Sequence, residues 1–132
     1  MADAYIEAWG STLEEAFSNA AVAFYDTMIE ADKIEAKVYE DIEVSGHDLY
    51  ELLYNWIEEL IFLFETKGLV FSKFDIKISK VNDTWELKGK IGGERYSKDK
   101  HGSKTHVKAV TYHAMEIIES KEGVKLRYLL DL

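Results

Sequence analysis

Residues 107–118 read VKAVTYHAMEII, and this stretch decides how the rest of the chain is arranged. Its period of two is typical of a β-strand, but neither of its two faces is cleanly polar. A strand that is apolar on both faces is expected in the centre of a sheet, covered on each side. Lys108, His113 and Glu116 are then its unusual residues, because a covered strand holds titratable groups only where they are paired, solvated at an end, or in use.

Length and composition set limits on the fold class. The 132 residues are 47% hydrophobic and 13% aromatic, which predicts a single domain, 1–132, built around its own core. The chain has no cysteine, so disulfides and thiolate chemistry are excluded, as is typical of a reducing cytosol. It has no apolar run of the ~20 residues that a membrane span needs, and its first residues lack the basic region of a secretory signal. We therefore expect a soluble cytoplasmic protein with no membrane association.

The net charge restricts the class of partner. It is −9, from 25 acidic and 16 basic side chains. A protein that binds naked nucleic acid needs a basic face to neutralise phosphates. Direct binding of RNA or DNA is therefore disfavoured, and a basic protein partner or a bound cation is expected instead.

Hydrophobic spacing and capping residues predict the remaining elements. Six strands are predicted, over 2–9, 33–44, 73–78, 85–91, 107–118 and 124–131. One helix is predicted to begin after the capping residues Ser11 and Thr12, and a second to run from its cap Asp48 to a stop at Gly68. Two helices packed on one largely antiparallel sheet of about six strands make an α+β two-layer domain.

The segment 92–105 interrupts this pattern and is locally basic. It holds Arg95, Lys98, Lys100, His101 and Lys104 against Glu94 and Asp99. Long loops in compact domains are often functional, and a plain solvated connection explains the segment equally well. Ordinary polar roles are expected for the four histidines, because no recognised metal-ligand spacing relates His47, His101, His106 and His113.

The usual catalytic and nucleotide-binding motifs do not occur in the sequence. It has no phosphate-binding loop, no dinucleotide fingerprint, no zinc-protease helix motif and no nucleophile elbow, which disfavours an enzyme. Two alternatives stay open on these grounds. One is a small metal-dependent hydrolase or ligand-binding domain that uses the histidines, and the other is a purely structural interaction module.

Several motifs together resemble the archease family. They are Asp3-Ala4, 9–17 (WGSTLEEAF), 52–60 (LLYNWIEEL), 68–71 (GLVF), Lys100-His101, 107–113 (VKAVTYH) and 130–132 (LDL), in the family's order over essentially the whole chain. The resemblance implies a small cytosolic protein cofactor that is not itself an enzyme. It implies an activator of the RtcB-type RNA ligase that joins tRNA halves, promoting the ligase's guanylylation and multiple turnover and meeting tRNA only through the ligase.

The resemblance also implies a metal site that holds calcium or another divalent cation. Carried over, its ligands are Asp3, Asp131 and Leu132, the last through a backbone or terminal carboxylate oxygen, and oxygen ligands suit a hard cation. Met1-Ala2 stand here where the family pattern has His-Thr. Lys108 matches the lysine of the family's V-K-A motif and is expected to lie near the metal or face the ligase, without being a ligand.

The residues alone leave this site open. Two carboxylates at adjacent strand ends repel each other unless a cation or a lysine lies between them, while two solvated surface acids are the plainer alternative. A simple turn at 120–123 places Asp131 opposite Tyr112, with Lys108 ~13 Å farther along the strand. The site therefore requires that the first and last strands lie side by side.

Overall fold

The computed structural model describes residues 3–132 and contains two long helices and six strands. The elements are β1 Asp3–Gly10, α1 Leu13–Met28, β2 Val38–Gly46, α2 Leu49–Lys67, β3 Leu69–Val81, β4 Thr84–Arg95, the short α3 Lys98–His101, β5 Ala109–Ser120 and β6 Gly123–Asp131. The α+β class, the two main helices and the six antiparallel strands are confirmed. The strands divide into two three-stranded sheets, β1-β6-β5 and β2-β4-β3, where the sequence predicted one. Ala2, predicted to open the first strand, lies outside the described residues.

Both helices begin at predicted capping residues, and α2 also ends at the predicted Gly68. The Thr12 hydroxyl accepts the Glu15 backbone N–H at 3.1 Å, and the Asp48 carboxylate accepts the Glu51 backbone N–H at 2.8 Å. These bonds satisfy amide groups that the first turn of a helix leaves without partners. Gly68 ends α2 in the left-handed conformation at φ 66°, which a residue without Cβ adopts at low cost.

One core joins both helices and both sheets. Helix α1 packs against β1, β3 and β6, and α2 packs against β2 and β5. The two helices are also tied directly, because the buried Trp56 indole donates to the Phe17 carbonyl at 2.9 Å. Burial of each such large side chain contributes about 1.5–3 kcal/mol, so packing dominates the stability. Neither long helix within residues 3–132 combines the length and apolarity needed to cross a membrane.

The prediction that residues 107–118 form the central strand is wrong. In the described chain, β5 is an edge strand paired with β6, and β6 is the strand with two neighbours. Val110 of β5 is buried, but Tyr112 and Ile118 are half exposed. Protein therefore does not cover both faces of β5, contrary to the prediction.

The pairing of β5 with β6 shifts part-way along. From the turn as far as Glu116, which pairs with Arg127, the register is the predicted one. It then shifts between Thr111 and Glu116, so that Asp131 pairs with Ala109 and not with Tyr112. The inserted residues form a β-bulge, which bends the strand.

Contacts from outside the strand hold this bulge. The Tyr112 ring stacks on Tyr54 of α2, with centroids 4.2 Å apart and planes 10° from parallel. Ala114 has φ 59°, a left-handed conformation that costs a non-glycine residue about 1–2 kcal/mol. The bulge therefore depends on tertiary packing. It contains no glycine or proline that would predict it from the sequence.

Several predicted strand boundaries differ from the observed ones, and two of them matter for the site. The strand predicted over 33–44 begins only at Val38, after a 3₁₀ turn at Ala31–Lys33. Strand β4 continues through Gly93 to Arg95, so the irregular segment before β5 is shorter than predicted. Only glycine fits at 93, since an added Cβ would overlap the backbone of β3.

Candidate functional site

The first and last strands lie side by side and bring two carboxylates together. Asp3 of β1 is the direct Cα partner of Asp131 of β6. Side chains of direct partners in an antiparallel pair project from the same face of the sheet, with Cβ atoms about 4.5–5.5 Å apart. The predicted meeting of these two residues is therefore present in the fold.

Both aspartates lie on the face of the sheet that points away from the helices. In β6 the buried residues Leu126, Tyr128 and Leu130 alternate with partly exposed ones that include Asp131. Asp3 is exposed, and within residues 3–132 no ion pair involves either aspartate. Among the described residues 3–132, the two carboxylates thus lie side by side without an ion-pair partner.

The last residue is held beside this pair by its own side chain. Leu132 is half-buried and packs against the hydrophobic core. An apolar side chain anchored in this way limits the movement of the oxygens on the same residue. Leu132 can therefore present a backbone or terminal oxygen next to Asp131, as the site requires.

Lys108 lies much closer to Asp131 than the simple-turn register predicted. Its backbone N–H donates to the Asp131 carbonyl at 2.8 Å, because the bulge brings Ala109 opposite Asp131. The Lys108 side chain is exposed and borders a groove that it shares with Glu58 and Phe62 of α2. The predicted separation was wrong, and the bulge is the reason.

The donors at the chain ends fit a hard divalent cation. Two carboxylates and an oxygen of Leu132 are the ligand types that Ca²⁺ prefers, and water would complete its six to eight ligands. Among the described residues no three His, Cys, Asp or Glu side chains are arranged to hold a metal, so the Leu132 oxygen is needed as third protein ligand. The protein ligands available at the chain ends are therefore all oxygen atoms.

Comparisons with known proteins decide the family. The model of the Archease protein family matches residues 1–132. The chain belongs to the archease family. The protein archease of Pyrococcus furiosus is 46% identical over 92% of this chain and 86% of that protein, and the protein archease of Sulfolobus acidocaldarius is 44% identical over 99% and 93%. The solution structure of Methanobacterium thermoautotrophicum protein 1598 superposes with a TM-score of 0.86, at 39% identity, covering 100% of this chain and 94% of that one.

The histidines of this archease do not form a site. His47 bonds to Glu51 at 2.9 Å, and this hydrogen bond raises the pKa of the imidazole. His101 is fully buried, while His106 and His113 are exposed. Because the four rings do not converge, the structure offers no support for a hydrolase built on them.

A buried carboxylate, Glu94, is the residue that sequence reasoning missed. It is only 7% exposed, and it accepts the Glu35 backbone N–H at 2.7 Å, the Lys100 ammonium at 2.8 Å and the His101 ring N–H at 3.0 Å. Burial by itself raises the pKa of Glu94, but these hydrogen bonds and the Lys100 charge outweigh it and lower the pKa to about 2. Its only sequence signal is an acid followed closely by Lys100-His101.

His101 completes the cluster around this carboxylate. Its Nδ1 accepts the Ser97 backbone N–H at 3.0 Å, so the ring proton lies on Nε2, which donates to Glu94. Tyr96 stacks on the ring with centroids 5.8 Å apart, and its hydroxyl donates to the Gly102 carbonyl at 2.6 Å. The segment before Lys108 is therefore held in place by hydrogen bonds and ring stacking among its own residues.

Most basic side chains of segment 92–105 form hydrogen bonds or ion pairs with other groups of the protein. Lys100 pairs with Glu35 and Glu94, and Lys104 pairs with Asp26 at 3.2 Å. Lysines that are neutralised in this way contribute little to binding phosphates. The side chains of Glu94, Lys100 and His101 thus form a structural brace before β5, so the segment is more than a plain solvated connection.

Proposed function

We propose that this protein activates an RtcB-type tRNA-splicing RNA ligase in the cytoplasm by promoting the ligase's guanylylation and multiple turnover. We also propose that it binds a divalent cation, calcium, through Asp3, Asp131 and Leu132. Membership of the archease family supports the first part. One observation carries the second, namely the register that pairs Asp3 with Asp131 and bonds the Lys108 backbone to the same residue.

The proposed mechanism assigns no covalent chemistry to this chain. Asp3 and Asp131 would hold the cation, which would neutralise their paired charges, and Lys108 presents a positive charge on the neighbouring strand β5. The cluster then binds one state of the ligase better than another and so shifts the ligase toward guanylylation. Contact with tRNA runs only through the ligase, since a net charge of −9 repels phosphates.

A ligation time course with RNA in excess over ligase tests the activation. With the wild-type protein, product is expected to keep accumulating after each ligase molecule has reacted once, and without it the reaction is expected to stall. Asp131→Ala is expected to keep the wild-type circular dichroism spectrum and melting temperature but to lose the stimulation. The matched control is Asp83→Ala in the exposed β3–β4 turn, which should stimulate fully. Full stimulation by Asp131→Ala would instead favour a structural interaction module.

A calorimetric titration with calcium tests the cation site separately. Wild type is expected to bind the ion, and Asp131→Asn is expected to bind it at least about tenfold more weakly, since a neutral amide replaces a charged ligand. Parallel titrations with magnesium and manganese rank the candidate ions. An affinity that Asp131→Asn leaves unchanged would place the cation away from the chain ends.

A further inference from the structure

A groove runs along the solvent side of α2, with Phe62 at its centre. Phe62 is 55% exposed, more than any other large apolar residue of α2. Toward β2 the cavity measures about 750 Å³ and includes Val44 and Glu59. Toward β5 a smaller cavity of about 290 Å³ includes Glu65 and Lys108. We call this surface the α2 groove and define it by Val44, Glu58, Glu59, Phe62, Glu65 and Lys108.

The walls of the α2 groove carry three glutamate carboxylates, Glu58, Glu59 and Glu65. Across residues 3–132, no ion pair involves Glu58, Glu59 or Glu65. Burial raises the pKa of the Glu59 carboxyl, and the neighbouring Glu58 charge raises it further. A cation brought in from outside would relieve this repulsion.

The floor of the groove is apolar and matches the centre of a protein interface. Phe62 stands beside Val44 on one side and beside Ile61 and Val110 on the other. An exposed aromatic ring with apolar neighbours inside a charged rim is the usual arrangement of an interface anchor. Such a surface fits a partner that carries an apolar side chain between basic ones.

Lys108 links the α2 groove to the site at the chain ends. Lys108 borders the groove with its side chain, while its backbone bonds to Asp131. The aspartates lie on the outer face of the sheet and the groove lies on its helix side, so a partner that contacts both reaches around the edge strand β5. Nucleic acid does not suit these walls, because phosphates and carboxylates repel each other.

We propose that the α2 groove docks a basic segment of a protein partner, which packs an apolar side chain on Phe62 and pairs lysine or arginine side chains with Glu58, Glu59 and Glu65. The inference rests on the proposed function, in that it takes the RtcB-type ligase to be the partner. Opposite charges on the two surfaces speed their encounter and orient the complex.

Equilibrium binding of the fluorescently labelled full-length protein to the ligase tests this docking. Phe62→Ser is expected to raise Kd about tenfold or more, as truncation of an interface anchor does. Glu58→Lys is expected to raise Kd strongly in low salt and less in high salt, since screening weakens charge pairs. Both positions are exposed, so both variants should keep the wild-type melting temperature.

Matched controls lie away from the groove. Val81→Ser removes another exposed apolar side chain, and Glu119→Lys reverses another exposed charge. Both are expected to leave Kd within about twofold of wild type at either salt concentration, because neither touches the proposed anchor.

The outcomes separate this inference from the proposed function. A wild-type protein that binds and stimulates the ligase, with a Kd that neither Phe62→Ser nor Glu58→Lys changes, overturns the docking alone. A wild-type protein that neither binds nor stimulates overturns the proposed function and the assigned partner together. Sedimentation provides a third outcome. If the wild type is a dimer and Phe62→Ser is a monomer, the groove binds a second copy of this chain, and the inference is overturned.

Discussion

Substituting Glu94 by glutamine removes the charge at the centre of the brace before Lys108. Glutamine keeps the size of the side chain, but it replaces one carboxylate oxygen by an amide group that cannot accept a hydrogen bond. Lys100 then keeps Glu35 but loses its second carboxylate partner, and the buried His101 ring loses a charged acceptor. We therefore expect a lower free energy of unfolding for Glu94→Gln.

The pKa of Glu94 sets the size of this loss. A pKa that falls from 4.5 to about 2 corresponds to at most about 3.4 kcal/mol, and solvent screening of the partly exposed lysines reduces this to about 1–2 kcal/mol. Because the pKa is lower in the folded state, this stability is fully present above about pH 4.5 and is lost as the pH falls toward about 2.

Urea unfolding followed by tryptophan fluorescence measures the effect, since Trp56 is fully buried. At about pH 7 the variant is expected to be about 1–2 kcal/mol less stable than wild type, and at about pH 3 the difference should shrink to roughly half or less. The exposed Glu119→Gln serves as control and should match wild type at both pH values. A loss of equal size at both pH values, or below about 0.5 kcal/mol at neutral pH, would refute the assignment of Glu94 as the charged centre of the brace.

Two further predictions concern glycines whose backbones have special requirements. Gly93→Ala places a Cβ against the backbone of β3 and is expected to cost about 2 kcal/mol or more, seen as a lower melting temperature. Gly68→Ala meets no neighbouring atom but keeps the left-handed φ of 66°, so it should cost about 1 kcal/mol, and Gly68→Asn, which tolerates this conformation, should cost less. Equal melting temperatures for Gly93→Ala and wild type, or for the two Gly68 variants, would contradict these estimates.

The sequence predicts best what depends on neighbours in the chain. Thr12, Asp48 and Gly68 mark the helix ends in the sequence and do so in the structure, because capping involves only residues within one turn. The division of six strands into two sheets depends on how distant segments pack. Alternation in a single strand does not contain that information, and the same limit explains why β5 was wrongly expected at the centre.

The same difference between local and long-range information applies to the candidate site. The meeting of Asp3 and Asp131 follows from pairing the first and last strands, which the family resemblance implied. The nearness of Lys108 depends on a bulge held by the stack of Tyr112 on Tyr54, and no local residue pattern predicts that contact. Glu94 was missed for a similar reason, since its backbone donor belongs to Glu35, far away in the sequence.

The bulge in β5 also affects the tendency of this protein to aggregate at high concentration. An open strand edge rich in apolar residues can recruit another chain by hydrogen bonding and so begin aggregation. The break in register between Thr111 and Glu116 makes this edge uneven, so a foreign strand finds no long flat template along it. The bulge that brings Lys108 next to Asp131 therefore also protects the protein against aggregation.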